Sequence, residues 1–542
     1  MFALPSSLTL LVACAALLNP PLTTAQDSQI PLQSVEEVTK ALKESGSCCD
    51  AISSLLPGKV FSKGESEYQD YTQSFWMQNA RELSPRCVVI PSDVAEVSTA
   101  ISVLGAAHSE GMEDGCKFAI RSGPHATHAK ASNIEDGVVV YLKKLNDITI
   151  SEDQSFVSVG PGTLLGEVYG KLDPMDLTII SGRDSNLGMG GLTMGGGISF
   201  LSPRYGFSCD HVLNYEVVLS SGAVVSANAT SNPDLYRALK GGNNNFGVVT
   251  RFDFTIIQQG KFWGGVIVSD IENRNAYFDF IEKSLDDKVF DPHAALVAQT
   301  AYIDGMGWSM MNILTWTKAE ENPAYFKELL DLPNNFQNST RISTMLDFNE
   351  ELDKSNPHGK RVKVGTFTFK PDAQFMKDYQ QMFNETVTSM MDIPGIVVVT
   401  AFQPQSKQVL IQSEAYGQGR NSLGFKKEDG DSLILFSLAT WDAEEYEERV
   451  DKAIKDLNRR GEEEAARRGL LRDFIYMSYA GPWQDPIGGY GKENVEFMRK
   501  VSKEYDPSQL FQLKVPSGFK LSKAEGQGRA ESASRAGGSD EL

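Results

Sequence analysis

Residues 119–132, AIRSGPHATHAKAS, bring together several side chains that can do chemistry. Arg121 precedes a Gly-Pro turn at Gly123, and His125 and His128 follow three residues apart in a chain with only 6 histidines. An imidazole can ligate a metal ion, transfer protons or act as a nucleophile. No third ligand stands nearby with metal-site spacing, so we expect no metal site. His125 is a candidate for covalent attachment or cofactor contact, with a structural role as the alternative.

The densest run of glycines lies at residues 188–197. It contains Gly188, Gly190, Gly191, Gly195, Gly196 and Gly197. Glycines let the backbone approach a ligand closely, and successive N–H groups can bind an anion. Leu187 and Leu192 are interleaved, and the strand-like NYEVVLSS follows, features that a flexible linker lacks. The stretch GGNNNFGVVTRFDFTI repeats the pattern, so both stretches predict a ligand cradle.

The segment VSVGPGTLLGEVYGKL predicts a strand, a glycine turn and a helix. Its glycines are spaced GxGxxxG, one residue longer than the dinucleotide-binding fingerprint GxGxxG. No GxxxxGK[ST] sequence occurs in the chain. We therefore expect neither a nicotinamide site of the Rossmann type nor a P-loop.

Composition places the chain among ordinary globular proteins. With 542 residues, 41% hydrophobic and 23% charged, it can bury a large core and is long enough for two domains. The net charge of −20 argues against nucleic acid as a partner, because binding it requires a basic surface. We expect a small-molecule substrate.

The two ends of the sequence carry targeting patterns. An apolar run within residues 1–25, followed by prolines and small residues, predicts a signal peptide cleaved after Ala25 and no membrane span. The last four residues, SDEL, resemble the retention signals KDEL and HDEL. Secretion and retention in the endoplasmic reticulum both stay open.

Five cysteines remain after such cleavage, an odd number that leaves at least one thiol unpaired within the chain. We expect Cys48 or Cys49 to pair with Cys87, and Cys209 to be a small buried residue. The sequons at Asn228, Asn338 and Asn384 accept N-glycans where they are exposed.

The elements change character near residue 257. Before it, short β-branched strands alternate with helices, and the helix after CVVIP can be capped by Ser92 or Asp93 with Glu96 reaching back. After it, longer strands such as SLILFSLATW are separated by amphipathic helices, which indicates an antiparallel sheet with helices on one side.

Five stretches in series resemble the FAD-linked oxidases of the vanillyl-alcohol oxidase fold, in the berberine-bridge-enzyme-like branch and its fungal members most. They are VVIPSDVAEV, IRSGPH, GMGGLTMGGG, GGNNNFGVVTRFDF and YGKENVEFMRKVSKEYDPSQLFQ. The resemblance implies an α+β fold with a PCMH-type FAD-binding domain in two pieces, residues 27–256 and 470–521. A substrate domain with an antiparallel sheet, residues 257–469, lies between them, and a disordered tail follows at 522–542.

In this family the histidine of an R-S-G-G-H loop carries the flavin on its 8α-methyl group. The resemblance therefore assigns a covalent FAD link to His125, although Pro124 replaces the second glycine and removes one backbone N–H. Many relatives add a cysteine tether four residues before the G-x-G-G stretch, where this chain has Asp184. A carboxylate cannot form that thioether, so we expect at most one covalent link.

The resemblance also implies the remaining site residues. The cofactor contacts are Arg121, Ser122, Gly123, His125, Asp184, Gly188, Gly190, Gly191, Gly195, Gly196, Asn245, Gly247 and Val249. In the stretch YMSY, Tyr476 is the first candidate for the catalytic base and Tyr479 the alternative. Ser478 stands where the family often has asparagine.

The expected reaction is hydride transfer from a substrate C–H bond to flavin N5, and we expect reoxidation by O2, with a dehydrogenase as the alternative to an oxidase. We expect an apolar fungal secondary metabolite as substrate. Alternatives are a secreted carbohydrate or alcohol oxidase, a cyclase without net redox chemistry, and a non-catalytic binding protein with a degenerate flavin fold. Five aromatic residues are candidates to line the pocket, and each is equally a candidate for the hydrophobic core: Trp263, Tyr302, Trp308, Trp316 and Phe402.

Overall fold

The computed structural model describes residues 34–112, 115–417 and 421–526. The predicted signal peptide, the SDEL terminus and most of the predicted tail lie outside these ranges. Residues 522–526 are described, and Ala524 there is buried. Within the described ranges, no helix has the length and apolarity that crossing a bilayer requires.

The first described part of the chain builds a small mixed sheet. Its strands, in spatial order, are Val60–Phe61, Cys87–Val89, Val138–Tyr141 and Phe118–Arg121, of which the last three run parallel. The helices beside it are Val35–Ser45, Cys48–Leu55, Ser66–Gln73, Gln78–Arg81 and Val94–Ser109. Asp93 caps the last of these, because its side chain accepts from Glu96 N while the Glu96 carboxylate accepts from Ser92 N.

Two disulfides lie in this region. Cys49 pairs with Cys87, which confirms one of the two predicted pairings, and Cys48 pairs with Cys116. Adjacent cysteines in one helix thus bind two different elements, an arrangement that sequence spacing alone does not reveal. Cys209 is unpaired and buried, as predicted.

A second, wholly antiparallel sheet follows. Its strands, in spatial order, are Ile148–Ile150, Phe156–Val159, Val248–Thr255, Val212–Val218 and Val224–Asn228. The connecting helices are Leu165–Leu172, Met189–Met194, Ser202–Tyr205 and Pro233–Gly242, and the short strands Leu177–Thr178 and Ile257–Gln258 pair with each other. The helix Met189–Met194 therefore begins within the glycine-rich run.

The predicted antiparallel sheet after residue 257 is confirmed. In spatial order its strands are Asn335–Asn338, Phe262–Ser269, Gly307–Trp316, Ala294–Ile303, Val397–Gln405, Ser432–Trp441, Arg361–Phe369 and Leu471–Arg472, and Arg341–Ser343 also pairs with Phe262–Ser269. Within the described residues this sheet has nine strands. One of its faces is covered by three helices, Arg274–Ser284, Ala373–Thr388 and Glu447–Arg467. The other helices are Lys327–Leu330, Met345–Lys354, Lys407–Tyr416, Lys492–Tyr505 and Leu510–Leu513.

Strand alternation separates the two faces of the nine-stranded sheet. Val398 and Phe402 are fully buried against the helices, whereas Val399 between them turns to the opposite face and stays partly accessible. Successive side chains of a strand point to opposite faces, so every long strand contributes one row to the helix-packed core and one to the uncovered face. That uncovered face forms one side of the site.

Candidate active site

A cavity of about 620 Å³ lies between the glycine-rich loops and the uncovered face of the nine-stranded sheet. A volume of several hundred Å³ is typical of sites for cofactors and small molecules. From the sheet, the wall consists of Val266, Val297, Gln299, Ile303, Met311, Ile313, Val364, Val397, Val399, Ala401, Gln403, Phe436, Leu438 and Thr440. Most of this wall is apolar.

Most of the predicted site residues meet at this cavity. Its lining includes Ser122, Gly123, His125, Asp184, Gly188, Gly190, Gly191, Gly247, Val249, Tyr476 and Tyr479. Arg121, Gly195, Gly196 and Asn245 are not among the residues that line it. All four are buried.

Two loops pack backbone against backbone at Gly123 and Gly188. A Cβ on Gly188 would lie 2.5 Å from the Gly123 Cα, so neither position has room for a side chain. Ser122 joins the same loops, because its Oγ donates to Pro161 O and accepts from Gly190 N at 3.1 Å. A Cβ on Gly191 would meet no atom within 4 Å. Because Gly191 lines the cavity, the room that a side chain would fill there is left to a ligand.

Arg121 and Asn245 hold the cavity loops from behind. The buried Arg121 guanidinium donates to Tyr71 O and Ser74 O, each at 3.0 Å, and lies 3.4 Å from the centroid of the Phe75 ring. Asn245 Nδ2 donates to Phe519 O at 2.9 Å, which draws the C-terminal segment to the cavity. Their positions make both residues supports of the loops.

His125 stacks on Trp76, with ring centroids 4.7 Å apart and an interplanar angle of 14°. Its Nε2 is buried and has no hydrogen-bond partner among the described residues. Burial, with a smaller contribution from His358, lowers the pKa of His125 to about 3, so the imidazole is neutral at physiological pH. A neutral imidazole with an uncommitted nitrogen at the cavity wall is suited to form a bond to a ligand.

The fold brings two further polar side chains to His125 that sequence spacing did not indicate. Ligand atoms of His125, Asp353 and His358 lie within 4.8 Å of one another, a separation that a metal ion can bridge. His358 Nε2 lies 3.3 Å from Asp353 Oδ1. They follow more than 200 residues after His125, so proximity in the chain gave no signal for them.

Asp184 lies on the same side of the cavity and is buried. Its Oδ2 accepts from Asn356 Nδ2 at 2.6 Å, and its Oδ1 accepts from Asn186 N at 2.9 Å. Burial raises the pKa of Asp184, and these hydrogen bonds oppose the rise. The residue that replaces the family's cysteine is thus bound to the segment after helix Met345–Lys354.

The two predicted tyrosines lie edge to face, with centroids 4.8 Å apart. Burial raises the pKa of Tyr476, and the neighbouring Tyr479 adds to the rise. Tyr479 accepts from Arg183 Nη2 at 2.7 Å and donates to Gln403 Oε1 at 3.1 Å. Arg183 and Gln403 were missed in the sequence, although a charged residue inside the glycine-rich region was a usable signal for Arg183.

Of the two roles that the sequence left open for five aromatic residues, the structure supports the hydrophobic core. Trp263, Tyr302, Trp308, Trp316 and Phe402 all belong to the core between the sheet and its helices. The strand register turns them away from the cavity. Phe436, together with Tyr476 and Tyr479, supplies aromatic surface instead.

Comparison with known proteins identifies the class of cofactor. Residues 85–228 match the family model described as FAD binding domain. The chain is 32% identical over 491 residues to the FAD-dependent monooxygenase CTB5 of Cercospora beticola, covering 88% of this chain and 92% of that protein.

Two solved structures share the fold at 18% identity. BBE-like 1 of Physcomitrella patens aligns with a TM-score of 0.69 over 89% of this chain and 98% of its own. The xylooligosaccharide oxidase of Myceliophthora thermophila C1 in complex with xylobiose aligns with a TM-score of 0.68 over 89% and 99%.

Proposed function

This chain belongs to the fungal FAD-linked oxidoreductases of the vanillyl-alcohol oxidase fold, in the berberine-bridge-enzyme-like branch, and we propose that it oxidises a small apolar secondary metabolite in the cavity described above. The observation that carries the proposal is that the cavity has two opposite walls of different character. One wall is made of glycine-rich loops that leave room for a cofactor, and the other is an apolar sheet face with two tyrosines at its edge.

The domain boundaries follow the same division. We assign residues 27–256 and 470–521 to the FAD-binding domain and residues 257–469 to the substrate domain. The mixed and five-stranded sheets fall in the first assignment, and nearly the whole nine-stranded sheet falls in the second. The bonds of Asn245 to Phe519 O and Leu521 N support placing the C-terminal segment with the first part.

The residues present fit an FAD cofactor attached at His125. Ser122, Gly188, Gly190 and Gly191 would hold it through their backbone and the free space at Gly191. The neutral imidazole has a buried, unpartnered Nε2 to offer to the 8α-methyl group. Asp184 takes the place of the second tether, so the link is single.

Acid precipitation tests the tether. Flavin should stay with the precipitated wild-type protein, and peptide mass mapping should find it on the peptide that contains His125. The variant His125→Ala should release any bound flavin to the supernatant, whereas His128→Ala should keep it in the pellet. Colourless protein carrying a stoichiometric metal would instead favour the His125–Asp353–His358 cluster as a metal site and overturn the proposal.

FAD held by these residues would supply a two-electron acceptor for the substrate hydride, and its reoxidation by dioxygen would give hydrogen peroxide. The chain's own residues orient the substrate carbon and remove a proton from the substrate. The contacts support Tyr479 for the proton, because Arg183 donates to its hydroxyl oxygen. Burial makes ionisation of Tyr476 unfavourable, which suits that ring to packing against the substrate.

Anaerobic reduction of the flavin by substrate separates the two tyrosines. Tyr479→Phe should slow flavin reduction by about a hundredfold, the usual loss when a proton-transferring group is removed. Tyr476→Phe keeps the aromatic ring and should slow it much less. Equal rates for wild type and Tyr479→Phe would reject this assignment.

The fate of oxygen tests the oxidase assignment. An oxidase forms one hydrogen peroxide per substrate oxidised, and 18O from labelled dioxygen stays out of the organic product. The relative CTB5 is described as a monooxygenase. Incorporation of 18O into the product without release of peroxide would assign that activity here.

We assign the protein to the secretory pathway. Two disulfides support an oxidising compartment, in agreement with the predicted signal peptide. Among the three sequons, Asn338 is exposed, whereas Asn228 and Asn384 are partly buried. A glycan at Asn338, detected as a mass loss after enzymatic deglycosylation, is the expected modification.

A further inference from the structure

Arg183 brings a positive charge to the cavity wall. It follows the strand Leu177–Thr178 by a short loop, and its Nη2 donates to Gln403 Oε1 and to the Tyr479 hydroxyl oxygen, each at 2.7 Å. Both partners are neutral groups. Among the described residues, no ion pair or hydrogen bond joins Arg183 to a carboxylate, so its charge has no counter-ion of its own there.

The amide of Gln403 is fixed by the same contacts. Arg183 and Tyr479 both donate to Oε1, which sets the orientation of the amide and leaves Nε2 on the other side. Gln403 is only 4% exposed, and its Nε2 has no partner among the described residues. A buried N–H donor without an acceptor costs free energy until a ligand supplies one.

Arg183 also has N–H donors that make no hydrogen bond to the described residues. A guanidinium carries five N–H donors in a planar fork, and both bonds found here come from Nη2. No hydrogen bond of Nε or Nη1 is found among the described residues. Nε–H and Nη1 point to opposite sides of the guanidinium, so each can donate one charge-assisted hydrogen bond to a carboxylate oxygen.

The rest of the wall excludes a strongly polar ligand body. Val297, Val399, Phe436 and Leu438 present aliphatic and aromatic surface next to these donors. A ligand that satisfies both surroundings has an apolar body and one anionic oxygen group.

We propose that Arg183 and Gln403 form a carboxylate-binding subsite, so that the enzyme acts on an aromatic or otherwise apolar carboxylic acid. This inference rests on the proposed function, since it names the substrate class of the same cavity. Arg183 acts here as a specificity-determining residue that orients the substrate by its carboxylate. The carbon to be oxidised then lies elsewhere on the apolar body.

Ligand binding to the purified holoenzyme tests the subsite without knowledge of the natural substrate. Benzoate and benzamide have nearly the same shape and differ in charge, and their dissociation constants can be measured from perturbation of the flavin absorbance. Wild-type enzyme should bind benzoate at least about tenfold more tightly than benzamide, as expected for a charge-assisted hydrogen bond. In Arg183→Gln the two constants should become equal.

A second variant and a matched control separate charge recognition from misfolding. Gln403→Glu keeps Arg183 but places a carboxylate beside it, so the preference for benzoate should disappear while flavin content is unchanged. Arg204→Gln is the control, because Arg204 is also partly buried and bonded to the neutral groups Gln259 and Tyr205 but does not line the cavity. It should keep the wild-type preference.

The outcomes distinguish the two levels of the argument. A yellow, reducible enzyme that binds benzoate no better than benzamide, or binds neither, would overturn the carboxylate subsite and leave the flavin function intact. A preparation without flavin would overturn the proposed function itself. A preference that persists in both Arg183→Gln and Gln403→Glu would place the anion elsewhere and reject the assignment.

Discussion

The two walls of the cavity are built by different means. The cofactor wall consists of turns between short strands, where backbones meet so closely at Gly123 and Gly188 that side chains are excluded. The opposite wall is one face of strands that run for 8 to 10 residues, and its side chains are ordinary aliphatic residues. The shape of the first wall depends on glycine at particular positions. The composition of the second depends on strand register, which decides which side chains of each strand face the cavity. Changes to the first should therefore abolish cofactor binding, and changes to the second should alter what is bound beside it.

Gly188→Ala should give the largest effect. The added Cβ would lie 2.5 Å from the Gly123 Cα, and because both partners are backbone the two loops must separate. We expect loss of bound FAD and a lower free energy of unfolding, measured by flavin absorbance per polypeptide and by urea denaturation.

Gly191→Ala is the control for that prediction. Its Cβ would meet nothing within 4 Å, so the fold should stay intact and only flavin occupancy should fall. Full flavin content in Gly188→Ala would show that backbone packing does not define the cofactor wall.

Arg361→Met tests the contact between the nine-stranded sheet and the first part of the chain. Arg361 opens a strand of the nine-stranded sheet, is 4% exposed, and donates to Glu447 at 3.0 Å and to Glu82 at 2.5 Å. Glu82 lies in the first part of the chain. The variant loses two charge-assisted hydrogen bonds, but both carboxylates left behind are reached by water, so the free energy of unfolding should fall by about 2 kcal/mol.

Arg459→Met is the matched comparison, since its ion pairs lie on an exposed helix face. It should change the free energy of unfolding by less than about 0.5 kcal/mol. If both variants lose the same stability in urea, the Arg361 network does not hold the regions together.

His128 makes the contact between the first part of the chain and the nine-stranded sheet sensitive to acid. Burial, with repulsion from Lys363 on the nine-stranded sheet, lowers the pKa of His128 to about 4. Between the unfolded value of about 6.5 and this folded value, the unfolded chain binds the extra proton, so stability falls as the pH drops through that window. From pH 7 to pH 5 the loss attributable to His128 should be about 2 kcal/mol.

His128→Phe should remove that part of the pH dependence while keeping the ring contact with Phe519. Urea midpoints at pH 7 and pH 5 for wild type and variant give the measurement. An unchanged pH dependence in the variant would mean that His128 is protonated without cost in the folded state.

The same contrast between the walls explains what the sequence revealed. Glycine runs, the His125 loop and Cys209 carry local physical signals, and the structure places most of the predicted cofactor residues on one cavity. Which face of a strand lines the cavity depends on pairing with distant strands, so the sequence left pocket and core equally open for the tryptophans. Arg183, Gln403, Asp353 and His358 act through contacts between segments far apart in the chain, which spacing along the sequence cannot show.

Neighbouring valines on one strand give the sharpest test of the register. Val398 packs into the helix-covered core and Val399 lines the cavity. Val398→Ala should lower the free energy of unfolding by about 1.5 kcal/mol through the cavity it leaves, with ligand affinity unchanged. Val399→Ala should leave stability nearly unchanged but weaken benzoate binding several-fold, up to about tenfold, because methyl contacts to the ligand are lost.

Each of these two variants is the control for the other, since the chemical change is identical and the positions are adjacent. Urea denaturation and the dissociation constant of benzoate, measured on both proteins, give a two-by-two comparison. Loss of affinity in Val398→Ala with none in Val399→Ala would mean that the strand presents the opposite row of side chains to the ligand. That result would return Phe402, on the same strand, to the pocket and would remove part of the apolar wall on which the assignment of an apolar carboxylic acid depends.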